Sequence, residues 1–199
     1  DKTNELYERS KDFQYVPLPN PHLIADPIEE KSELYWDIAN KCPQIGVGES
    51  GEIATNTGSN NSWCAVRSVN SWTEGSHAVS FRLVSKPTTN SWRFTLGVCD
   101  ESWLPNGDQK WVGSGQSWAY AGCGQKCHNA GVGVDYAEEY GPIGCGDDET
   151  VTVHFNMESG EVRFSHNGKD LGVAYTNLKS SRVHVCASFT GTGSSVELF

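Results

Sequence analysis

The residues best suited to chemistry lie between positions 123 and 149. Cys123, Cys127 and His128 form a C-x3-C-H element, and Cys145 offers a third thiolate. Thiolates and an imidazole are the ligands zinc takes. No paired C-x2-C element accompanies them, so the spacing is incomplete and no metal or other cofactor is expected. Asp147-Asp148-Glu149 concentrates carboxylates but lacks the alternating spacing of a calcium loop, and reads as a solvated turn before a strand. Glu138 and Glu139 are adjacent. On a strand they face opposite sides, whereas glycoside hydrolysis needs two carboxylates flanking one bond. Cys127 beside His128 is likewise adjacency in sequence, not a nucleophile converging on its base. No constellation meets a catalytic geometry, and the chain is expected not to be an enzyme.

Charge narrows the partners. The 199 residues hold 25 acidic and 15 basic side chains, a formal net charge of −10. Lys and Arg are scattered, so the basic patch that displaces counterions from nucleic acid is missing, and an anionic membrane surface is equally disfavoured. The seven cysteines are odd in number and irregularly spaced. Cys64, Cys99 and Cys186 fall in strand-like segments, where a free thiol acts as a small hydrophobe. That usage predicts a reduced, intracellular protein. The triplet Asn60-Asn61-Ser62 is read as a chance sequon. The chain opens on Asp1 and reads as a piece of a larger protein; it contains no signal segment and no membrane-length apolar run.

The elements that would position a site are strands. Val79, Phe81 and Leu83 alternate with polar neighbours, as do Trp92, Phe94, Leu96 and Val98. The same holds for Val151, Val153 and Phe155, for Val162 and Phe164, and for Val183, Val185, Ala187 and Phe189. Period-two alternation marks strands with one buried face. Met157-Glu158-Ser159-Gly160 reads as a hairpin loop and Asn167-Gly168 as a tight turn. Residues 51–199 therefore form an all-β antiparallel sandwich. Residues 1–50 are a separate extension, with Pro17, Pro19, Pro21, Pro27 and Pro43 accounting for five of the eight prolines. Residues 1–26 read as an extended arm. Ile28, Leu34, Tyr35 and Ile38 predict one short helix over 28–40, with Pro27 at its start.

The ordered series Trp72-Thr73-Glu74-Gly75-Ser76-His77, Leu96-Gly97-Val98, Ser117-Trp118-Ala119-Tyr120, Gly146-Asp147, the hairpin 157–164 and Asn167-Gly168-Lys169-Asp170-Leu171-Gly172 resembles the SPRY family over roughly 50–199. The resemblance implies a bent sandwich of two antiparallel sheets, of the concanavalin-like jelly-roll kind. It also implies a non-catalytic adaptor module that binds a protein or peptide, often within a ubiquitin-ligase protein. A monomer is expected. The family's partner surface is usually a set of loops at one end of the sandwich. Carried onto this chain, these are Thr55-Asn56-Thr57, the connection 99–117 with Trp103, Asp108 and Trp111, and Phe189-Thr190-Gly191. A loop near twenty residues with two tryptophans fits such a role on physical grounds too, since long loops are often functional and Trp is enriched at binding hot spots. The alternative is that both tryptophans pack back onto the sandwich. Trp63, Trp72, Trp92 and Trp118 lie in or beside strands and are expected in the core or at its rim. A lectin-like sandwich that stacks sugars on exposed Trp is the competing function.

Overall fold

A computed structural model describes residues 33–59, 63–85, 94–106, 111–129, 137–142 and 148–199. Trp92, Asp108, Cys145, Asp147, the Asn60 triplet and the arm at 1–26 lie outside the described residues. Fourteen strands occur among the described residues. They are β1 (Trp36–Lys41), β2 (Ile45–Val47), β3 (Ile53–Asn56), β4 (Cys64–Trp72), β5 (Ser76–Ser85), β6 (Phe94–Asp100) and β7 (Ser117–Ala121). The rest are β8 (Gln125–His128), β9 (Ala137–Glu139), β10 (Thr150–Asn156), β11 (Glu161–His166), β12 (Lys169–Tyr175), β13 (Val183–Phe189) and β14 (Ser195–Leu198). They make two antiparallel seven-stranded sheets. The first runs β1-β4-β13-β6-β7-β8-β9 and the second β12-β11-β10-β5-β14-β3-β2. The all-β sandwich read from alternation is the observed fold.

Alternation places the core between the sheets. Val79, Phe81 and Leu83 of β5, Val151, Val153 and Phe155 of β10, and Val162 and Phe164 of β11 meet Leu96, Val98, Trp118, Val185 and Phe189 from the facing sheet. The tight turn is also where the sequence put it. Asn167 and Gly168 both have positive φ, 49° and 75°, and His166 pairs with Lys169 across them. That is the mirror-image turn whose twist suits a two-residue hairpin.

The helix expected over 28–40 is corrected: its described part is extended, and no helix occurs among the described residues. The inward residues are Leu34 and Trp36, two apart, which is a strand period. Trp36 stacks on Phe81 at 6.3 Å and its Nε1 donates to the Val196 carbonyl at 3.3 Å. Ile38, counted toward an apolar helix face, is 69% exposed. Between Trp36 and Lys41 the register of β1 against β4 shifts. In that bulge the Asp37 carboxylate accepts the Ala39 and Asn40 N–H groups at 2.8 and 3.1 Å. Glu33–Phe199 cluster as one compact unit.

The centre of the first sheet is covered on both faces. All seven residues of β13 and all five of β7 are buried. The outward residues Ala65, Cys99, Ala119, Cys127 and Cys186 are small, and Trp103 and Val112 from the β6–β7 connection pack on them. Gly97 belongs to the same close fit: a Cβ there would sit 2.0 Å from the Trp118 carbonyl oxygen.

Candidate functional site

The strand registers decide which loops share an end. Cys64 pairs with Phe189 and Thr55 with Ser195. The β3–β4 and β13–β14 connections therefore emerge together. The β10–β11 turn and the β4–β5 turn lie at the opposite end, where Ser76 pairs with Asn156.

Asn56 ties the first two loops together. It is fully buried, and its N–H donates to the Ser194 carbonyl at 2.8 Å. Its own carbonyl accepts the Gly193 N–H at 2.8 Å, and its side-chain Oδ1 accepts the Gly58 N–H at 2.9 Å. Thr192 Oγ1 donates to the Gly58 carbonyl. Thr57 is exposed, held by its N–H and hydroxyl, which both donate to the Gln44 carbonyl at 2.8 and 3.0 Å. Within the β13–β14 turn Ser194 Oγ donates to the Thr190 carbonyl at 2.7 Å, and Gly191 has φ 84°. A buried amide that completes several backbone bonds fixes loop shape, because each orphaned group would cost about 1–3 kcal/mol.

The third loop reaches the same end from the other side. After β6 the chain turns back over the outer face of the first sheet. Arg67, largely buried, donates from Nη1 to the carbonyls of Glu101 at 2.8 Å and Trp103 at 3.2 Å. Trp103 is 3% exposed and its Nε1 donates to the Ser114 carbonyl at 3.0 Å. The Val112 N–H donates to Ser188 Oγ at 2.9 Å, and the Gly113 N–H to Ser117 Oγ at 2.8 Å. These bonds carry Trp111 to Trp63, the residue just before β4. Both indoles are half-buried, with ring centres 6.2 Å apart and planes at 37°.

The residues expected at this surface thus divide. Thr57 and Trp111 have accessible surface there, and Thr55 is half-buried with its hydroxyl against Ser195 Oγ at 2.9 Å. Asn56, Trp103, Phe189, Thr190 and Gly191 are buried and support the loops from beneath. Phe189 packs on Phe94 in the main core. Asp108 lies outside the described residues. Trp63 and Thr192 join the site without having been assigned to it. The signal for Trp63 is its partner 48 positions away, which no local pattern carries.

Within the cysteine cluster Cys127 and His128 do not converge. Cys127 opposes Ala119 and faces the outer layer. His128 opposes Trp118 and stacks on its ring at 4.6 Å. As successive strand residues they point to opposite faces. Burial pushes the Cys127 thiol up to about 12 and also raises Cys123, whose Sγ lies 3.4 Å from Gln125 Oε1. Cys145 lies outside the described residues. Among the described residues no three His, Cys, Asp or Glu side chains gather as metal ligands. The carboxylate of Glu149 meets His166 Nε2 at 3.2 Å. A shallow groove of about 490 Å3 at the opposite end is lined by His77, His154, Glu161 and Arg163. Its polar groups are already engaged: Arg163 pairs with Glu161 and Asp170, and His154 with Ser165.

Comparison with known proteins agrees with this architecture. The crystal structure of the SPRY domain of human HERC1 superposes with a TM-score of 0.68 at 18% identity, covering 82% of this chain and 96% of that one. A human SPRY domain gives 0.61 at 13% identity, covering 78% and 94%. The TRIM65 PSpry domain gives 0.61 at 16% identity, covering 84% and 92%. No curated protein matches the sequence. The model of the SPRY domain family matches residues 81–199, well over half the chain. The chain belongs to the SPRY domain family, a family of protein-interaction modules that are typically non-catalytic.

Proposed function

We propose that this domain binds a short peptide or exposed protein segment through the end of the sandwich formed by Thr57, Trp63, Trp111 and Thr192. The observation that carries the reading is the Trp63–Trp111 pair, two half-buried indoles held 6.2 Å apart beside loops that Asn56 braces. Paired aromatics on a rigid base provide apolar contact at low entropic cost, which is what binding hot spots require. Thr57 and Thr192 supply the polar rim. None of these four residues is charged, so the reading favours a segment with an apolar anchor over a strongly charged one. The domain would serve as the recognition part of a larger adaptor or ubiquitin-ligase protein.

The same indoles suit a sugar ring, and a lectin-like sandwich is the second reading. The test is affinity capture from a cell extract under reducing conditions, followed by titration of the captured partner. Trp63→Ala and Trp111→Ala should each weaken binding at least about tenfold with the melting temperature little changed. Less than twofold loss for both overturns the assignment of the surface. A glycan-array signal abolished by the same substitutions, without a protein partner, establishes the lectin reading instead.

A further inference from the structure

Two cysteines meet where β1 ends and β4 begins. Cys42 follows β1, and its N–H donates to the Ala65 carbonyl at 2.8 Å. Cys64 opens β4. The backbone bond pins the two chain segments side by side, and the two Sγ atoms lie 3.1 Å apart. Cys64 Sγ in turn lies 3.2 Å from Gln44 Oε1, so the thiols form a directed chain from Cys42 through Cys64 to the amide oxygen. Both are free thiols. Cys42 is half-buried and reachable from solvent, whereas Cys64 is buried.

We propose that Cys42 and Cys64 are a site of reversible oxidation, at which a hydroperoxide closes the pair into an intrachain disulfide. A disulfide bond is about 2.05 Å long, so the sulfurs need to close by about 1 Å, within reach of small side-chain rotations. The steps balance as follows. The Cys42 sulfur attacks the peroxide O–O bond, giving a sulfenic acid and releasing water (or an alcohol from an organic hydroperoxide). The Cys64 sulfur then attacks the Cys42 sulfur and expels the hydroxyl group, which takes the Cys64 proton and leaves as water. Two thiols lose two electrons and two protons, and one peroxide is reduced. Two equivalents of a small thiol reverse the change. Desolvation pushes the Cys64 thiol up to about 12, which fits it as the second, resolving sulfur and Cys42 as the first to react.

Position gives the pair its interest. Gln44 connects it to the loop end: the Gln44 carbonyl holds Thr57, and a Cβ on Gly58 would meet Gln44 Oε1 at 2.4 Å. A disulfide sulfur has no proton to donate, so oxidation removes the S–H contact on Gln44. Cys99 and Cys186 also share a hydrogen bond, but both are fully buried under the β6–β7 connection.

The test uses the full 199-residue chain, fully reduced and then exposed to hydrogen peroxide at a few equivalents. Alkylation and peptide mapping should find a Cys42–Cys64 link, with a mass loss of about 2 Da that dithiothreitol reverses. The link should form at least about tenfold faster than any joining Cys99 to Cys186. Cys64→Ala should leave Cys42 as a sulfenic acid trapped by dimedone, and Cys42→Ser should leave Cys64 open to alkylation once the chain is unfolded. Progress of Cys42 to sulfinic acid with Cys64 unlinked, or a link between other cysteines first, overturns the proposal. Because no binding partner enters the assay, its failure is independent of the loop-end assignment.

Discussion

Two glycines separate packing from backbone freedom at the residue scale. Gly97 lies in the middle of β6, and its missing Cβ admits the Trp118 carbonyl of the neighbouring strand. Gly168 has φ 75°, and a Cβ there would have no atom within 4 Å. Gly97→Ala must therefore push β6 and β7 apart, and should cost upward of about 2 kcal/mol, in the range of overpacked cores. Gly168→Ala meets only the left-handed backbone penalty, about 1 kcal/mol. Urea unfolding of the two variants checks the order; equal losses would mean that the close approach at Gly97 relaxes freely. The sequence shows both glycines with equal force. Asn167-Gly168 announced its turn because the requirement is local. Gly97 sits in an alternating run, and its constraint comes from a strand more than twenty positions away.

At the scale of elements the legible strands were those with one wet face. β5 and β10 alternate in burial as their sequences alternate in polarity, and β11 does so as far as Phe164. β13 alternates in sequence yet is buried throughout, since the β6–β7 connection lies over its outer side. That cover also explains the division within the candidate site. A long loop with two tryptophans pointed to the right region, but Trp103 is spent on holding the loop down while Trp111 reaches the rim. β1 was obscured because Leu34, Tyr35 and Ile38 also fit a helical spacing; only the inward Trp36, stacked on Phe81, resolves the two periods. Asn56 is the element-level brace. Asn56→Ala orphans the Gly58 N–H and should destabilise the domain by about 1–3 kcal/mol. Hydrogen exchange should quicken most at Gly58. Uniform quickening across the core, with Gly58 unremarkable, would mean that Asn56 serves packing alone.

For the molecule as a whole, the buried titratable groups set the pH range of stability. His184 is buried, its Nδ1 lies 2.9 Å from the Ser68 carbonyl, and desolvation lowers its affinity for a proton below the usual 6.5. Below that value the unfolded chain binds a proton the native chain resists. The stability His184 contributes is thus present above about 6.5 and lost as pH falls through its folded value. Cys64 and Cys127 are raised from 9.0 to about 12, chiefly by burial. Here the native chain keeps protons that the unfolded chain gives up, so stability is present below 9 and lost as pH rises toward 12. Denaturation midpoints should form a plateau between roughly pH 6.5 and 9 and fall on both sides. Cys127→Ala should lessen the alkaline fall, and an unchanged slope would remove Cys127 from the account.

The bulge in β1 bears on how this domain behaves among its own copies. Among the described residues β1 is the outer strand of the first sheet, where an unpaired row of amides would invite another chain to add itself. Asp37 has already taken the Ala39 and Asn40 amides within the bulge, and the register shift breaks the straight line a docking strand would need. A carboxylate planted on the rim also repels the same rim of a second molecule. Among the described residues the exposed Ile38 at that point therefore belongs to no straight, uncharged run that a second strand could extend.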